Sequence, residues 1–232
     1  VAYQMLPYGG GSVAATSASL LLPTSVWDDQ YVAINAYRKS VAVASAVPSM
    51  TIVANEDDTT VTLNPVVDVI GGGGVQGTNA NNPVDYVLDR GETLQISQPE
   101  ELTGSPLTAD KPFGVFGAAS CLSVWPDDYA CDSAHQQIFP VQAMGSSYVG
   151  IRYRNRGNGP EETPPWRMVG VVDGTELNWE PNKPAGAPDT LELGEVVLRD
   201  GREHEVARLD DQLEVHVHAG RLADDIDLEG AH

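Results

Sequence analysis

Apolar and polar residues alternate in short runs along most of the chain, and Gly, Pro, Asn and Asp separate the runs. Alternation with a period of two, in runs rich in β-branched and aromatic residues, is typical of β-strands that bury one face. The runs are 31–37, 49–54, 59–65, 85–89, 92–97, 112–118, 148–154, 166–172, 175–181 and 194–198. No segment before residue 198 keeps the apolar period of an amphipathic helix. The pattern therefore predicts an all-β fold.

The sequence also repeats itself. Three blocks align in the same order: 53–65 with 169–181 at a shift of 116, 23–38 with 140–154 at a shift of 117, and 88–94 with 191–197 at a shift of 103. The first block reads VANEDDTTVTLNP and its second copy VGVVDGTELNWEP, so the alternation of faces is kept as well. Repetition at a fixed order predicts two tandem β-sandwich-like modules.

The predicted organisation follows from these shifts. It has five parts: residues 1–21, the closing strand of a preceding module plus a linker; 22–120, β module 1; 121–137, a connector that carries both cysteines; 138–198, β module 2; and 199–232, an acidic, histidine-containing tail that can hold the last strands of module 2. Val1–Met5 resembles Gly114–Ala118, so we expect it to be a strand that can complete a neighbour's sheet.

Module 1 carries an insertion that module 2 lacks. Residues 71–83 (GGGGVQGTNANNP) are too rich in Gly and Asn to become ordered without help from the rest of the fold. Loops on a β scaffold commonly carry binding function, so we expect 71–83 and 121–135 to carry specificity.

Charge narrows the range of partners. The chain has 33 acidic and 13 basic residues and a formal net charge of −20. Phosphate backbones and anionic lipid surfaces would repel such a protein, so we expect no nucleic acid partner. No apolar run is long enough to span a bilayer, so we expect no membrane insertion.

The two cysteines, Cys121 and Cys131, flank a short Pro-containing segment. A local pair of this kind favours a disulfide in an oxidising compartment. Two alternatives remain open at this point. One is a zinc site made of both sulfurs and His135, and the other is a pair of free thiols.

Acidic residues in turns raise the question of metal or carboxylate chemistry. Calcium could bind oxygen ligands from two places, Asn55, Asp57 and Asp58 in the first block, and Asp225 and Asp227 in the segment DIDLEG. Calcium is the one possible cofactor, and the simpler interpretation of 55–58 is a turn between two strands. His216 and His218 alternate on one strand face and could pair on a transition metal.

Catalytic chemistry has little support. His135 is the only histidine in the two predicted modules and their connector, and no G-x-S-x-G element is present. A glycosidase needs two carboxylates at a set distance in space, and the sequence does not give that distance, so this possibility stays open. The segment between Cys121 and Cys131 offers side chains that could contact a ligand at the surface. The candidates are Trp125, Asp127, Asp128 and Tyr129.

The stretch ELTGSPLTADKPFGVFGAASC followed by YACDSAHQQIFPV resembles the IgGFc-binding protein N-terminal domain family. Matching elements include Glu101–Ser105, Asp110–Pro112, Cys121, Cys131 with Asp132, and Gln137 ahead of Pro140. The resemblance covers about residues 20–198. It implies an extracellular β-rich module with the cysteines bridged, of a kind that also occurs in bacterial surface or secreted proteins, and it carries over no catalytic residue.

These observations lead to one expectation of function. We expect a non-catalytic, secreted or cell-surface binding or adhesion module whose partner is an extracellular protein or a glycan such as mucin. The alternatives are a structural subunit of an extracellular fibre, which associates through the N-terminal strand, and a glycan or peptide hydrolase.

Overall fold

The computed structural model describes residues 1–6, 17–123, 129, 131–151, 166–183, 186–199 and 212–218. Strands dominate these residues, and the only helical pieces among them are two 3₁₀ turns, Thr24–Val26 and Val141–Ala143. The all-β prediction is confirmed. In the described part of the chain no helix is long and apolar enough to cross a membrane.

The strands are β1 (Ala2–Leu6), β2 (Ser17–Leu21), β3 (Asp28–Val32), β4 (Pro48–Ala54), β5 (Thr59–Leu63), β6 (Val84–Leu88), β7 (Thr93–Ser97), β8 (Pro106–Leu122), β9 (Asp132–Gln137), β10 (Ser147–Ile151), β11 (Trp166–Val169), β12 (Thr175–Glu180), β13 (Thr190–Leu191), β14 (Val196–Arg199) and β15 (Gln212–His218). The chain divides into two compact units, Val1–Met144 and Gly145–His232. The finer boundaries drawn from the sequence stay predictions.

The first unit is organised around the long strand β8. This strand pairs antiparallel with β3 and β5 along its first half and with β4 and β9 along its second half. The wider sheet has the order β6-β5-β8-β4-β7. Alternate residues of these strands form the core, in which Tyr31, Met50, Ile52, Phe113 and Val115 are almost fully buried. Burial of one face explains the alternation in the sequence.

Two predicted strands differ from the observed ones. The run 31–37 is a strand only as far as Val32. The backbone N–H of Ala33 still bonds to Ser105 O in line with the pairing to β8, but the N–H of Asn35 bonds to the Thr103 hydroxyl instead of a backbone carbonyl. The run 112–118 is not a separate strand, since it forms the middle of β8. In both cases the tertiary pairing sets where the strand ends.

Strands β1 and β2 form a hairpin beside β9. Tyr3 lies opposite Leu20, and Leu6 lies opposite Ser17. Gln137 at the end of β9 holds the hairpin: its backbone N–H donates to Ser19 Oγ at 2.9 Å, and its Oε1 accepts the Leu22 N–H at 2.7 Å. The hairpin therefore belongs to the first unit.

The second unit contains a sheet of order β10-β15-β12-β13 and a pair β11-β14. Its pairings have counterparts in the first unit at the same shifts. Val169 lies opposite Val196 as Val53 lies opposite Thr93, and Thr175 lies opposite Leu191 as Thr59 lies opposite Leu88. These registers support the internal repeat, whereas two complete sandwich-like modules stay a prediction.

Candidate functional site

The acidic turn after β4 is part of a structural clasp between two turns. We call residues 55–58 together with 89–92 the first clasp. Asp57 Oδ1 accepts the Arg90 N–H at 3.1 Å, and Asp89 Oδ1 accepts the Asp58 N–H at 3.1 Å. Glu92 Oε2 accepts the Asp89 N–H at 2.8 Å. Each carboxylate thus satisfies a backbone donor that a tight turn leaves without a partner.

The second unit contains the same arrangement. The second clasp consists of residues 171–174 and 192–195, where Asp173 Oδ1 accepts the Leu193 N–H at 2.9 Å. Glu192 Oε2 accepts the Gly174 N–H at 3.1 Å, and Glu195 Oε2 accepts the Glu192 N–H at 3.0 Å. Position 58 in the first clasp and position 174 in the second both have positive φ, at 53° and 66°. Gly174 adopts this conformation without strain, and Asp is among the residues that tolerate it.

The first clasp gives Asp57, one of the acids that raised the calcium hypothesis, a structural role. Asp57 and its counterpart Asp173 bind backbone N–H groups, and Lys111 Nζ donates to the backbone carbonyls of Asp57 and Asp58. Among the residues the structure describes, no three His, Cys, Asp or Glu side chains are grouped so that they could hold a metal ion. The turn interpretation of 55–58 fits these bonds. Calcium binding by Asn55, Asp57 and Asp58 stays a prediction, and Asp225 and Asp227 lie outside the described residues.

Cys121 and Cys131 form a disulfide. Their sulfur atoms are bonded to one another, so they offer no thiolates to zinc. Tyr129, inside the loop that this bond closes, is 88% exposed. The other predicted contacts in that loop, Trp125, Asp127 and Asp128, lie outside the described residues, so the contact role of all four stays a prediction.

His135 lies on β9 and stacks on Phe116, with ring centroids 5.1 Å apart. Its Nδ1 is buried and makes no hydrogen bond in the structure, and burial lowers its pKa. A catalytic base needs a partner that orients its ring, and none is bonded to this nitrogen. The side chains of His216 and His218 on β15 lie outside what the structure describes.

The connection between β5 and β6, residues 64–83, contains the predicted insertion 71–83. We call it the β5–β6 loop. Gln98 is 4% exposed and clamps the base of this loop. Its Oε1 accepts the Ile70 N–H at 3.1 Å, and its Nε2 donates to Asp68 O at 3.0 Å. A buried amide that uses both ends of its side chain holds the backbone in one conformation.

Further bonds order the rest of the β5–β6 loop. Val69 and Thr78 exchange both backbone hydrogen bonds, and so do Gly72 and Val75 nearer the tip. The Tyr86 hydroxyl donates to Gln76 O at 2.7 Å, and Asp68 Oδ1 accepts the Ala80 N–H at 2.8 Å. These partners lie in β6 and in the loop itself. They supply the ordering help that the Gly- and Asn-rich sequence requires.

Gly77 is needed for the loop to close. A Cβ at this position would lie 2.8 Å from Gly71 N and 2.9 Å from Val69 O, which are backbone atoms that cannot move aside. The two sides of the loop therefore approach each other at a glycine pair, Gly71 and Gly77. The loop presents two aliphatic side chains to solvent, Val66 and Ile70, which are 39% and 61% exposed.

Sequence reasoning selected the insertion but missed the residues that hold it. Gln98 and Tyr86 lie outside the insertion, and their side chains look like those of ordinary residues in or next to a strand. One signal was available in the repeat. Module 2 lacks the insertion, and at the shift of 103 it has Gly201 in place of Gln98 and Asp189 in place of Tyr86.

The described clasp residues and His135 have structural contacts. The carboxylates of Asp57 and Asp173 accept backbone N–H groups, and His135 is a half-buried residue that stacks on Phe116. The β5–β6 loop offers a rigid, partly apolar surface, which is what a protein–protein contact requires.

Comparison with known proteins gave one result. A family model described as "IgGFc binding protein" matches residues 17–219, which is most of the chain. No curated protein and no solved structure gave a significant match. The family resemblance inferred from the motifs around Cys121 and Cys131 is confirmed.

Proposed function

The chain belongs to the IgGFc-binding protein family, and from this premise we propose that it is a secreted or cell-surface adhesion module that binds an extracellular protein through the β5–β6 loop. The observation that carries this proposal is the clamp by Gln98, which holds an exposed loop of glycine-rich sequence in one conformation. The second copy has no such loop, so the repeat itself does not need it.

Order in the free loop favours tight binding. A flexible loop loses conformational entropy when a partner immobilises it, and this loss reduces the affinity. Because the bonds from Gln98, Tyr86 and Asp68 already order the loop, it loses this conformational entropy when the protein folds and not when a partner binds. A partner then meets a surface whose shape is already set.

Ile70 is the best candidate for an anchor in the contact. Its side chain is 61% exposed although its backbone N–H is fixed by Gln98. Burial of an aliphatic side chain of this size contributes about 1.5–3 kcal/mol. Trp, Tyr and Arg are the commonest anchors of protein interfaces, and an aliphatic side chain takes this role where surrounding contacts exclude water from it.

Charge favours a partner with a neutral or basic contact surface. The chain carries a formal charge of −20, so association with an acidic surface would be slow and would weaken at low salt. A glycan ligand would more naturally use the aromatic residues of the Cys121–Cys131 loop, among them the exposed Tyr129. The protein ligand is the one that the loop geometry supports.

The test compares Ile70→Ser with Val87→Ser. Both positions hold exposed aliphatic side chains, at 61% and 63%, but Val87 lies on β6 outside the loop. Binding is measured by calorimetry against three probes: the Fc fragment of immunoglobulin, intact mucin and deglycosylated mucin. We expect at least one protein probe to bind, Ile70→Ser to weaken it about tenfold or more, and Val87→Ser to leave it unchanged.

Two results would contradict the proposal. Equal losses for both variants would place the contact outside the loop. Binding to intact but not deglycosylated mucin, unaffected by Ile70→Ser, would indicate a glycan ligand instead.

A further inference from the structure

Strand β1 uses one of its two edges. Among the described strands it pairs with β2 alone. It carries no charged side chain, and Tyr3 and Met5 are 58% and 69% exposed. An uncharged strand with an available edge is a template for pairing with another strand.

The internal repeat shows which strand of the first unit corresponds to β1. Tyr3 lies opposite Leu20 as Phe116 lies opposite Gln137, and Leu6 lies opposite Ser17 as Ala119 lies opposite Ala134. The hairpin β1–β2 therefore has the register of the second half of β8 with β9. This agreement comes from the pairing and is independent of the sequence resemblance between Val1–Met5 and Gly114–Ala118.

The corresponding half of β8 has a second neighbour. Residues 113–119 of β8 pair with β4, for example Val115 with Ile52 and Phe116 with Thr51. By the same correspondence, the other edge of β1 is suited to a strand of the β4 type.

The strand of the β4 type in the second unit is β11. It pairs with β14 as β4 pairs with β7, and Met168 lies opposite Val197 as Ile52 lies opposite Leu94. In the first unit β4 also pairs with β8 on its opposite side. A complete copy of the repeat therefore needs a β8-like strand beside β11.

The chain's own counterpart for that place is poorly suited to it. Strand β15 aligns with the first half of β8 at a shift of 108, because Val215 lies opposite Trp179 as Leu107 lies opposite Leu63. At this shift the buried positions 113, 115, 117 and 119 correspond to Arg221, Ala223, Asp225 and Asp227, three of them charged, in a segment outside the described residues. Charged side chains are rarely buried without partners, so this segment is a poor match for an inward-facing strand.

We propose that β1 of one copy adds to the sheet beside β11 of a second copy. The residues of β1 that correspond to the buried positions 115, 117 and 119 are Ala2, Gln4 and Leu6, which are all uncharged. Each copy offers one β1 and one β11, so the contact joins two different surfaces and can repeat from copy to copy. Neither strand is part of the β5–β6 loop, so the proposal is independent of the proposed function.

The repeat also sets the register of the contact. Val115 lies opposite Ile52 in the first unit, so Ala2 of one copy is expected to lie opposite Met168 of the next. Cysteines at opposite positions of an antiparallel pair have Cβ atoms about 4.5–5.5 Å apart, close enough to form a disulfide after a small adjustment.

The cross-linking experiment mixes two variants of the full chain, each with one cysteine added to the native Cys121–Cys131 disulfide, that carry tags of different size. One is Ala2→Cys and the other is Met168→Cys. We expect a disulfide-linked heterodimer on a non-reducing gel under mild oxidation. The matched control pairs Ala2→Cys with Val197→Cys. Val197 lies opposite Met168 on β14, which is on the other side of β11 from the place proposed for β1, so it should not form this cross-link. Absence of the first product, or equal yields from both pairs, would overturn the proposal.

A second measurement tests the contact by sedimentation velocity, with variants to which no cysteine is added. Ile138 N–H bonds to Val115 O, so the backbone N–H and C=O of Phe116 point towards β4. By the same correspondence we expect those of Tyr3 to point towards the available edge of β1. Tyr3→Pro removes the N–H at that edge, whereas Tyr3→Ser keeps it. In sedimentation velocity we expect the wild-type chain to associate as its concentration rises, Tyr3→Ser to retain association, and Tyr3→Pro to weaken it at least tenfold. A wild-type chain that stays monomeric throughout would refute the contact.

Discussion

Tyr31 joins two strands of the first unit through its ring and its hydroxyl. The hydroxyl donates to Phe113 O at 2.8 Å, and the two rings lie 4.8 Å apart at a tilted angle. Burial raises the pKa of Tyr31 to about 12. The sequence marked this residue only as the partner of Tyr148 in the repeat, and Tyr148 is 45% exposed.

Tyr31→Phe tests the value of this bond. The substitution leaves the buried carbonyl of Phe113 without its donor, so we expect a loss of about 0.5–1.5 kcal/mol in the free energy of unfolding at pH 7. Urea unfolding measures the loss. Tyr148→Phe is the matched control, because the Tyr148 hydroxyl accepts the exposed Gly145 N–H, at 3.0 Å, on the surface. An equal loss in both variants would show that the Phe113 bond contributes nothing specific.

The raised pKa of Tyr31 also predicts that the stability difference between wild type and Tyr31→Phe depends on pH. The pKa of Tyr31 is raised in the folded state, so the folded state holds the proton more tightly than the unfolded state does. The stabilisation is fully present below about pH 10 and is lost as the pH rises towards 12. The stability difference between wild type and Tyr31→Phe should therefore shrink over this window, as a series of urea unfolding curves would show.

At the scale of elements, the two clasps are the clearest product of the repeat. Each joins a hairpin turn to a second turn that lies far away in sequence, as Asp57 does with Arg90. Hairpin turns close locally, but a clasp of this kind also fixes the place of β7 or β14 beside its neighbour. The retained Asp at positions 57 and 173 is explained by this bond.

Asp57→Ala tests the first clasp. Loss of the acceptor for the Arg90 N–H should lower the free energy of unfolding by about 0.5–1.5 kcal/mol. Glu56→Ala is the control, because it removes the same charge from an adjacent exposed residue, and Asp57→Asn should largely restore stability by keeping an acceptor. The measurement is the urea midpoint, with and without calcium. A calcium-dependent midpoint that disappears in Asp57→Ala would instead support the calcium site.

At the scale of the whole molecule, the main core lies in one unit. The buried cluster runs from Tyr31 to Ile138, entirely within Val1–Met144. The strands of this unit pair with one another, and the Cys121–Cys131 disulfide joins two residues of the same unit. A unit with its own core, whose described strands pair with one another, is expected to fold alone.

A chain that ends at Met144 tests this expectation. We expect the fragment 1–144 to give a cooperative thermal transition and near-ultraviolet circular dichroism of a packed core. The control ends at residue 120, which removes β9 and both cysteines of the disulfide, and it should be much less stable. Loss of cooperative unfolding in 1–144 would mean that the first unit depends on the second.

The sequence alone determined the all-β class, the order of the repeat and the family, and it favoured a disulfide between Cys121 and Cys131 over the zinc site and the free thiols. These features follow from local alternation, from copies within one chain and from a single pair of cysteines. The place where a strand ends was less predictable, as at Val32, because the pairing with β8 stops where the Asn35 N–H bonds to the side chain of Thr103, 68 positions away.

Only the tertiary structure decided which groups the clasp acids bond to and how the long loop is held. Asp57 meets Arg90, and Gln98 meets Ile70, after the chain has turned back on itself. A carboxylate in a turn looks the same in sequence whether it caps a distant N–H or binds an ion, and a glutamine beside a strand does not reveal that it clamps a loop. The physical reason is that a hydrogen bond depends on where the partner lies in space, and alternation along the chain carries no information about that partner.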